Sequence, residues 1–294
     1  MSQSFYQIND LERLTGIKAH TIRIWEKRYR IVEPFRTSTN IRYYDDAQVR
    51  KLLNVSTLLE SGLKISKVAA LSEQQINEQI QRLRERPEED TVCRSFINDL
   101  VVFMLSYDEA AFEKTFSAAV TRFGLYDAMI RVIYPFLYKV GMLWSVAETM
   151  PAQEHFASCI IRRKLLAACD GLPPATRSDL KFVLFLPPEE WHDIGLIFSD
   201  YLIRSKGVPV LFLGQNVPYD NLDIVVTKSK PTHLLTFFVT GRPQKEIKKF
   251  LEEFSSKHLE INILLAVSVF RSGEIELPAN ARILSGPTDL LSLV

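Results

Sequence analysis

One of the chain's five histidines stands where chemistry is possible. In "LPPEEWHDIGLIF", residues 186 to 198, an apolar run breaks at two prolines. Glu190 then precedes His192 by two places, and Gly195 follows it by three. A carboxylate that accepts one imidazole N–H fixes the tautomer and leaves the other ring nitrogen with its lone pair, the form that ligates a metal. A glycine in the first turn of the next helix allows close approach by something bulky. On chemistry alone the set is unspecific, and a solvated loop histidine explains the same residues more simply.

A second constellation is Trp144 followed nine residues later by Glu154 and His155 in "WSVAETMPAQEH". Ending one helix and opening the next, the tryptophan and the glutamate could meet across their connection. A core tryptophan beside an ordinary helix start is the alternative. A third is the basic stretch 13–51, with ten Lys/Arg against four Asp/Glu, in a chain whose formal charge is only +1. A basic head on a mildly acidic body suggests that one end meets a polyanion. Arginine can fork onto guanine or phosphate, and phosphate contacts set register without reading sequence.

The elements that carry these residues follow from periodicity. "INDLERLTG" predicts a short helix capped by Asn9 or Asp10, buried through Leu11 and Leu14 and stopped at Gly16. "KAHTIRIWEKRY" predicts a second that buries Ile22, Trp25 and Tyr29 and turns Arg23, Lys27, Arg28 and Arg30 outward. Two short helices about a glycine, the second basic, form a helix-turn-helix. "EPFRTSTNIRYYDD" reads as a hairpin wing, and two more helices close a head over 1–75. Residues 76–91 read as a helical linker, with about two heptads and so too short for a long coiled coil. Residues 92–172 predict a four-helix bundle, kinked at Pro135. Residues 178–294 change period: apolar runs rich in β-formers alternate with helices. That is a flavodoxin-like α/β domain with a parallel sheet, and His192 falls just beyond the end of its first strand, where ligands bind. The fold class is thus multidomain: winged helix-turn-helix head, four-helix bundle and flavodoxin-like domain.

Cys93, Cys159 and Cys169 show no disulfide or zinc spacing, which suits a reducing cytosol. The N-terminus lacks a signal-peptide plan, and no apolar run approaches the roughly 20 residues that span a bilayer. The expectation is a cytoplasmic protein with no membrane partner.

"TIRIWEKRY" with "PFRTSTNIRYY" resembles the MerR family of winged helix-turn-helix regulators. Thr21, Ile22, Arg23, Trp25 and Glu26 match its first element, Pro34 and Arg36 approximate its second, and Arg42 and Tyr44 match its third. The resemblance implies that Arg23 and its neighbours His20, Thr21, Arg28 and Tyr29 enter the major groove. It implies too that Arg36, Arg42 and Tyr44 hold phosphates of double-stranded DNA from the wing, on a palindromic operator. Such modules usually dimerise through a long helix; this chain has only the stretch before Pro87, so dimer or tetramer formation falls to the later domains.

Glu190-x-His192-x-x-Gly195 resembles the signature of cobalamin-binding domains, which implies His192 as the metal ligand, below cobalt, with Glu190 behind it. Trp144-x9-Glu154-His155 resembles the motif of B12-dependent photoreceptor regulators, whose order of head, bundle and cobalamin domain is the same. There the tryptophan packs on the upper face and the glutamate bonds the cofactor's sugar, so adenosylcobalamin or methylcobalamin is implied. The chain departs from the pattern in three places. Thr236 stands for a serine on the third strand, Val267 and Ser268 replace a Gly-Gly, and Ser145 replaces a histidine after the tryptophan. The expected function is a non-enzymatic DNA-binding regulator that senses a cobalamin; Ser145, in place of that histidine, leaves a response to light open. The alternative is a regulator whose cobalamin-type fold serves a protein partner or another small molecule. A cobalamin-dependent enzyme ranks last, because all 294 residues are allotted and no substrate-activating domain is left.

Overall fold

The computed structural model describes residues 6–84, 89–144, 151–240, 243–267 and 276–294. Packing divides the chain into two compact units, Met1–Ala157 and Ser158–Val294. That division falls inside a helix, whereas the sequence places the boundary between bundle and sheet at 172–178.

The first unit opens with α1 (Ile8–Thr15) and α2 (Ala19–Tyr29). α1 starts after Gln7 rather than Asn9 or Asp10; Asp10 lies in its first turn and accepts the Gln7 N–H at 2.7 Å. Gly16 ends it in the left-handed region, as its position predicts. Glu12 then accepts the Ala19 N–H and the Lys18 ammonium, each at 2.9 Å, so one carboxylate on α1 caps the start of α2. Of the three residues expected to bury on α2, Ile22 alone is fully buried; Trp25 and Tyr29 are half-buried.

β1 (Phe35–Arg36) and β2 (Arg42–Tyr43) form the expected antiparallel wing, with Phe35 opposite Tyr43 and Arg36 opposite Arg42. α3 (Asp46–Glu60) is capped by Asp45 and buries Leu52, Leu53, Val55 and Leu58, each worth about 1.5–3 kcal/mol of transfer free energy. α4 (Ile65–Val68) and α5 (Glu73–Arg84) follow. The segment expected to be a linker begins in α5, which buries Ile76, Ile80 and Leu83 at spacings of four and three and packs on α3.

The bundle helices are α6 (Glu89–Leu105), α7 (Glu109–Ala128), α8 (Tyr134–Trp144) and α9 (Pro151–Asp170). α7 breaks at Gly124, where φ is 78° and ψ 162°, a conformation that a side chain disfavours. A π-helical turn, Met129–Ile133, joins α7 to α8. Pro135 sits just past it, so the expected irregularity takes the form of a wider turn ahead of the proline. Phe112 meets Phe136 and Phe156 edge-on, at 5.6 and 6.0 Å between ring centroids. Head and bundle share a polar chain: Lys139 Nζ donates to Asn98 Oδ1 at 2.7 Å, and Asn98 Nδ2 donates to Thr57 Oγ1 of α3 at 2.8 Å. Burial brings the Lys139 ammonium down to about 8, although nearby Glu60 opposes the shift.

The second unit carries β3 (Phe182–Phe185), α10 (Ile194–Ser205), β4 (Val210–Gly214), α11 (Leu222–Ser229), β5 (His233–Phe238), α12 (Gln244–Lys257), β6 (Asn262–Val267), β7 (Ala281–Ile283) and α13 (Pro287–Leu291). Every pairing in its sheet is parallel and the strand order is β4-β3-β5-β6-β7, the flavodoxin-like order. β3 is buried along its whole length and β5 nearly so, which is why both read as unbroken apolar runs. Successive crossovers leave β3 in opposite directions, so a crevice opens between the ends of β3 and β5. No helix among the described residues is long and apolar enough to cross a membrane.

Candidate functional site

The crevice at the end of β3 is built around a buried carboxylate. Glu190 is fully buried. Its Oε1 accepts His192 Nδ1 at 2.7 Å, with the backbone N–H groups of Trp191 at 3.0 Å and His192 at 3.2 Å. Its Oε2 accepts the Val239 N–H at 3.0 Å and both the N–H and the hydroxyl of Thr240 at 2.8 Å. Burial alone would raise the Glu190 pKa, but the bonds from Thr240 and His192 win and bring it to about 2. One ionised side chain therefore pins the loop after β3 to the loop after β5, across the switch point.

His192 stands half in solvent, its side chain 55% exposed. With Nδ1 donating to Glu190, Nε2 keeps its lone pair, and no described residue bonds it. The imidazole is thus an oriented, accessible ligand. The loop is tied on its other side as well: Asn216 Oδ1 accepts the Glu189 N–H at 2.9 Å, and Gln215 Nε2 donates to the Trp191 carbonyl at 2.6 Å. Glu189 and Asn216 both hold positive φ, 62° and 55°. Behind His192, the buried Asp193 receives Arg162 of α9 at 2.8 Å. Burial pushes the Asp193 carboxyl up, and Arg162 opposes that.

Gly195 has the close approach it was expected to allow, with a neighbour already in place. A Cβ there would lie 2.7 Å from the Phe237 ring. Thr236 is fully buried on β5, and its hydroxyl has no partner among the described residues. A buried, unbonded hydroxyl costs free energy unless something absent from the protein completes it. Val267 ends β6 and packs against the core; Ser268 lies outside the described residues. In the first unit, Trp144 ends α8 and Glu154 lies in the first turn of α9, as expected. Glu154 is half-buried, His155 is exposed, and they sit 3.1 Å apart. Ser145 lies outside the described residues.

On the head, His20, Arg23 and Arg28 are exposed, and Thr21 and Tyr29 are half-buried. Arg28 lies over the Tyr29 ring at 5.2 Å. Arg36 is exposed on the wing and donates to Asn40 Oδ1 at 2.6 Å, which steadies the hairpin tip. Tyr44 departs from its expected place: it is fully buried and its hydroxyl donates to Glu26 of α2, so it cannot also hold a phosphate. Burial first, and then Glu26, raise its pKa well above the usual phenol range. Arg42 stays partly exposed, with Nε 3.4 Å from the same carboxylate but in no well-formed hydrogen bond to it.

Sequence reasoning missed Thr240, Gln215, Asn216 and Arg162. A signal was available for the first three, because the residues just past β4 and β5 line the same rim as those past β3. Arg162 gave none, since an arginine on a bundle helix reads as solvated.

Residues 6–75 match the family described as "MerR HTH family regulatory protein", and residues 96–168 match "B12 binding domain". Over 262 residues the chain is 27% identical to the HTH-type transcriptional repressor CarH of Myxococcus xanthus, covering 85% of this chain and 84% of that protein. It is 28% identical over 249 residues to the HTH-type transcriptional repressor CarA of the same organism, covering 84% and 81%. Among solved structures, the Methanosarcina barkeri monomethylamine corrinoid protein is similar in fold, with a TM-score of 0.50 at 15% identity, covering 74% of this chain and 97% of that one.

Proposed function

From a chain that joins a MerR-type helix-turn-helix domain to a B12-binding domain, we propose a DNA-binding transcriptional regulator that senses a cobalamin. The observation that carries the reading is the Glu190–His192 pair at the rim of the parallel sheet; the buried Thr236 hydroxyl on β5, with no partner among the described residues, adds to it. The residues present fit the group in donor chemistry. His192 offers one oriented nitrogen, Glu190 holds the opposite nitrogen protonated, and Thr236 has a hydroxyl with bonding capacity to spare.

We take the chain's parts as a head over 1–75, a linker over 76–91, a bundle over 92–172 and a cobalamin domain over 178–294. His192 Nε2 would ligate the metal, and a bound corrinoid would supply the cobalt that accepts it. Trp144, Glu154 and His155 would also contact the group, and the form taken would be adenosylcobalamin or methylcobalamin. His20, Thr21, Arg23, Arg28 and Tyr29 address the major groove, while Arg36 and Arg42 hold phosphate. Two or four chains then meet a palindromic operator in the cytoplasm, and ligand acts by binding one state of that assembly better than the other. A second reading has a specific support: the Phe237 ring already lies against Gly195, and Val267 ends β6 where the resemblance implies glycine. In that reading the regulator answers to a protein or to another small molecule.

Two measurements test the proposal. Wild-type protein incubated with adenosylcobalamin in the dark and then desalted keeps its colour, with a spectrum shifted by histidine ligation. His192→Ala loses the shift and binds at least about tenfold more weakly, the scale on which ligand-shell groups act. A colourless wild-type protein supports the second reading instead. For the head, affinity for duplex DNA falls by roughly a thousandfold between about 50 and 200 mM salt if about six phosphates are neutralised by a dimer. A salt-independent affinity removes the phosphate contacts from the account.

A further inference from the structure

Trp191 is the residue of the crevice that neither hydrogen bonding nor packing explains. The residue is 58% exposed, among the large apolar groups that the described residues leave in water. Exposed apolar residues are ordinary on any surface. This one differs in how its backbone is held. The N–H donates to Glu190 Oε1 at 3.0 Å and the carbonyl accepts Gln215 Nε2 at 2.6 Å. The left-handed Glu189 before it is bonded to Asn216, and after it His192 is fixed by Glu190. The loop therefore holds a tryptophan rigidly beside the one oriented, open imidazole of the crevice. An indole has large area and few torsions, so ordering it against a ligand costs little entropy.

We infer that Trp191 is a ligand-contacting residue, whose indole forms an apolar wall against the broad face of the corrinoid that His192 ligates. The assignment rests on the cobalamin reading given above and deepens it. The chemistry matches on both sides: a flat macrocycle with apolar faces loses water on meeting an indole, and its metal is reached by the neighbouring nitrogen. His192 supplies the bond, and Trp191 supplies area and excludes water from that bond.

The test uses the full chain, adenosylcobalamin in the dark and equilibrium dialysis, with the visible spectrum recorded at saturation. Trp191→Ala binds about tenfold more weakly, a loss consistent with removing one large contact side chain. Its saturated spectrum matches wild type, because the cobalt–imidazole bond is intact, and Trp191→Phe recovers most of the affinity. Far-UV circular dichroism of each variant matches wild type, as the side chain is exposed. Equal affinity of wild type and Trp191→Ala overturns the inference and leaves the cobalamin reading standing. So does a saturated spectrum in Trp191→Ala that has lost histidine ligation, since the indole would then act by placing His192. If wild type binds no corrinoid, both fall together.

Discussion

Replacing Glu190 by alanine destabilises the protein by about 3 kcal/mol at neutral pH, the order of cost for leaving several buried donors without their charged acceptor. Four backbone N–H groups on two loops, at Trp191, His192, Val239 and Thr240, lose their acceptor, together with the Thr240 hydroxyl and the His192 ring. Chemical denaturation as a function of pH separates this from a packing effect. The folded carboxyl lies near 2, below its ordinary value of 4.5. The group therefore contributes stability above about 4.5, which is lost as pH falls toward 2. Linkage over that shift amounts to about 3 kcal/mol. The stability difference between wild type and Glu190→Ala is expected to be constant from pH 7 to about 5 and to shrink below that. A difference that stays the same down to pH 3 would show that the ionised form is not what ties the loops. The variant should lose corrinoid affinity too, because its imidazole is neither oriented nor held in one tautomer.

Glu26→Ala is the second large effect, and its sign on DNA binding is diagnostic. Removing an acid from a basic head should strengthen attraction to a polyanion if charge alone mattered. The structure gives the opposite expectation. Glu26 accepts the hydroxyl of the fully buried Tyr44 and lies beside Arg42, so it fastens the wing to α2. Its loss leaves a buried phenol without an acceptor, at a cost of about 2–3 kcal/mol. Affinity for duplex DNA at low salt is expected to fall about tenfold, as Arg36 and Arg42 lose their fixed relation to α2. Glu26→Gln, which keeps an acceptor, should lose much less. Tighter binding by Glu26→Ala would mean that the wing does not depend on this anchor.

The contrast between Tyr44 and His192 shows where sequence reading reached and where it stopped. Both were assigned from a motif. The motif located each residue in the right element, since turn chemistry and strand period are local. It could not say which way Tyr44 faces, because that depends on Glu26, eighteen positions earlier, being within reach of its hydroxyl. Glu190 and His192 are two apart and could be paired from the chain alone. The other half of that carboxylate's bonding, at Val239 and Thr240, is some fifty residues away.

What the sequence determined by itself is the set of elements and their order: the glycine-punctuated helices of the head, the wing, the bundle helices, and the alternation that makes a parallel sheet. These follow from periodicity and from glycine and proline, which act over a few residues. Tertiary structure alone decided that Tyr44 is an anchor, that the Phe237 ring fills the space Gly195 opens, that Thr236 is buried with its hydroxyl unspent, and that one carboxylate joins two loops. Burial and hydrogen-bond satisfaction are properties of neighbours brought together by folding, and no local pattern of residue types specifies which neighbours those will be.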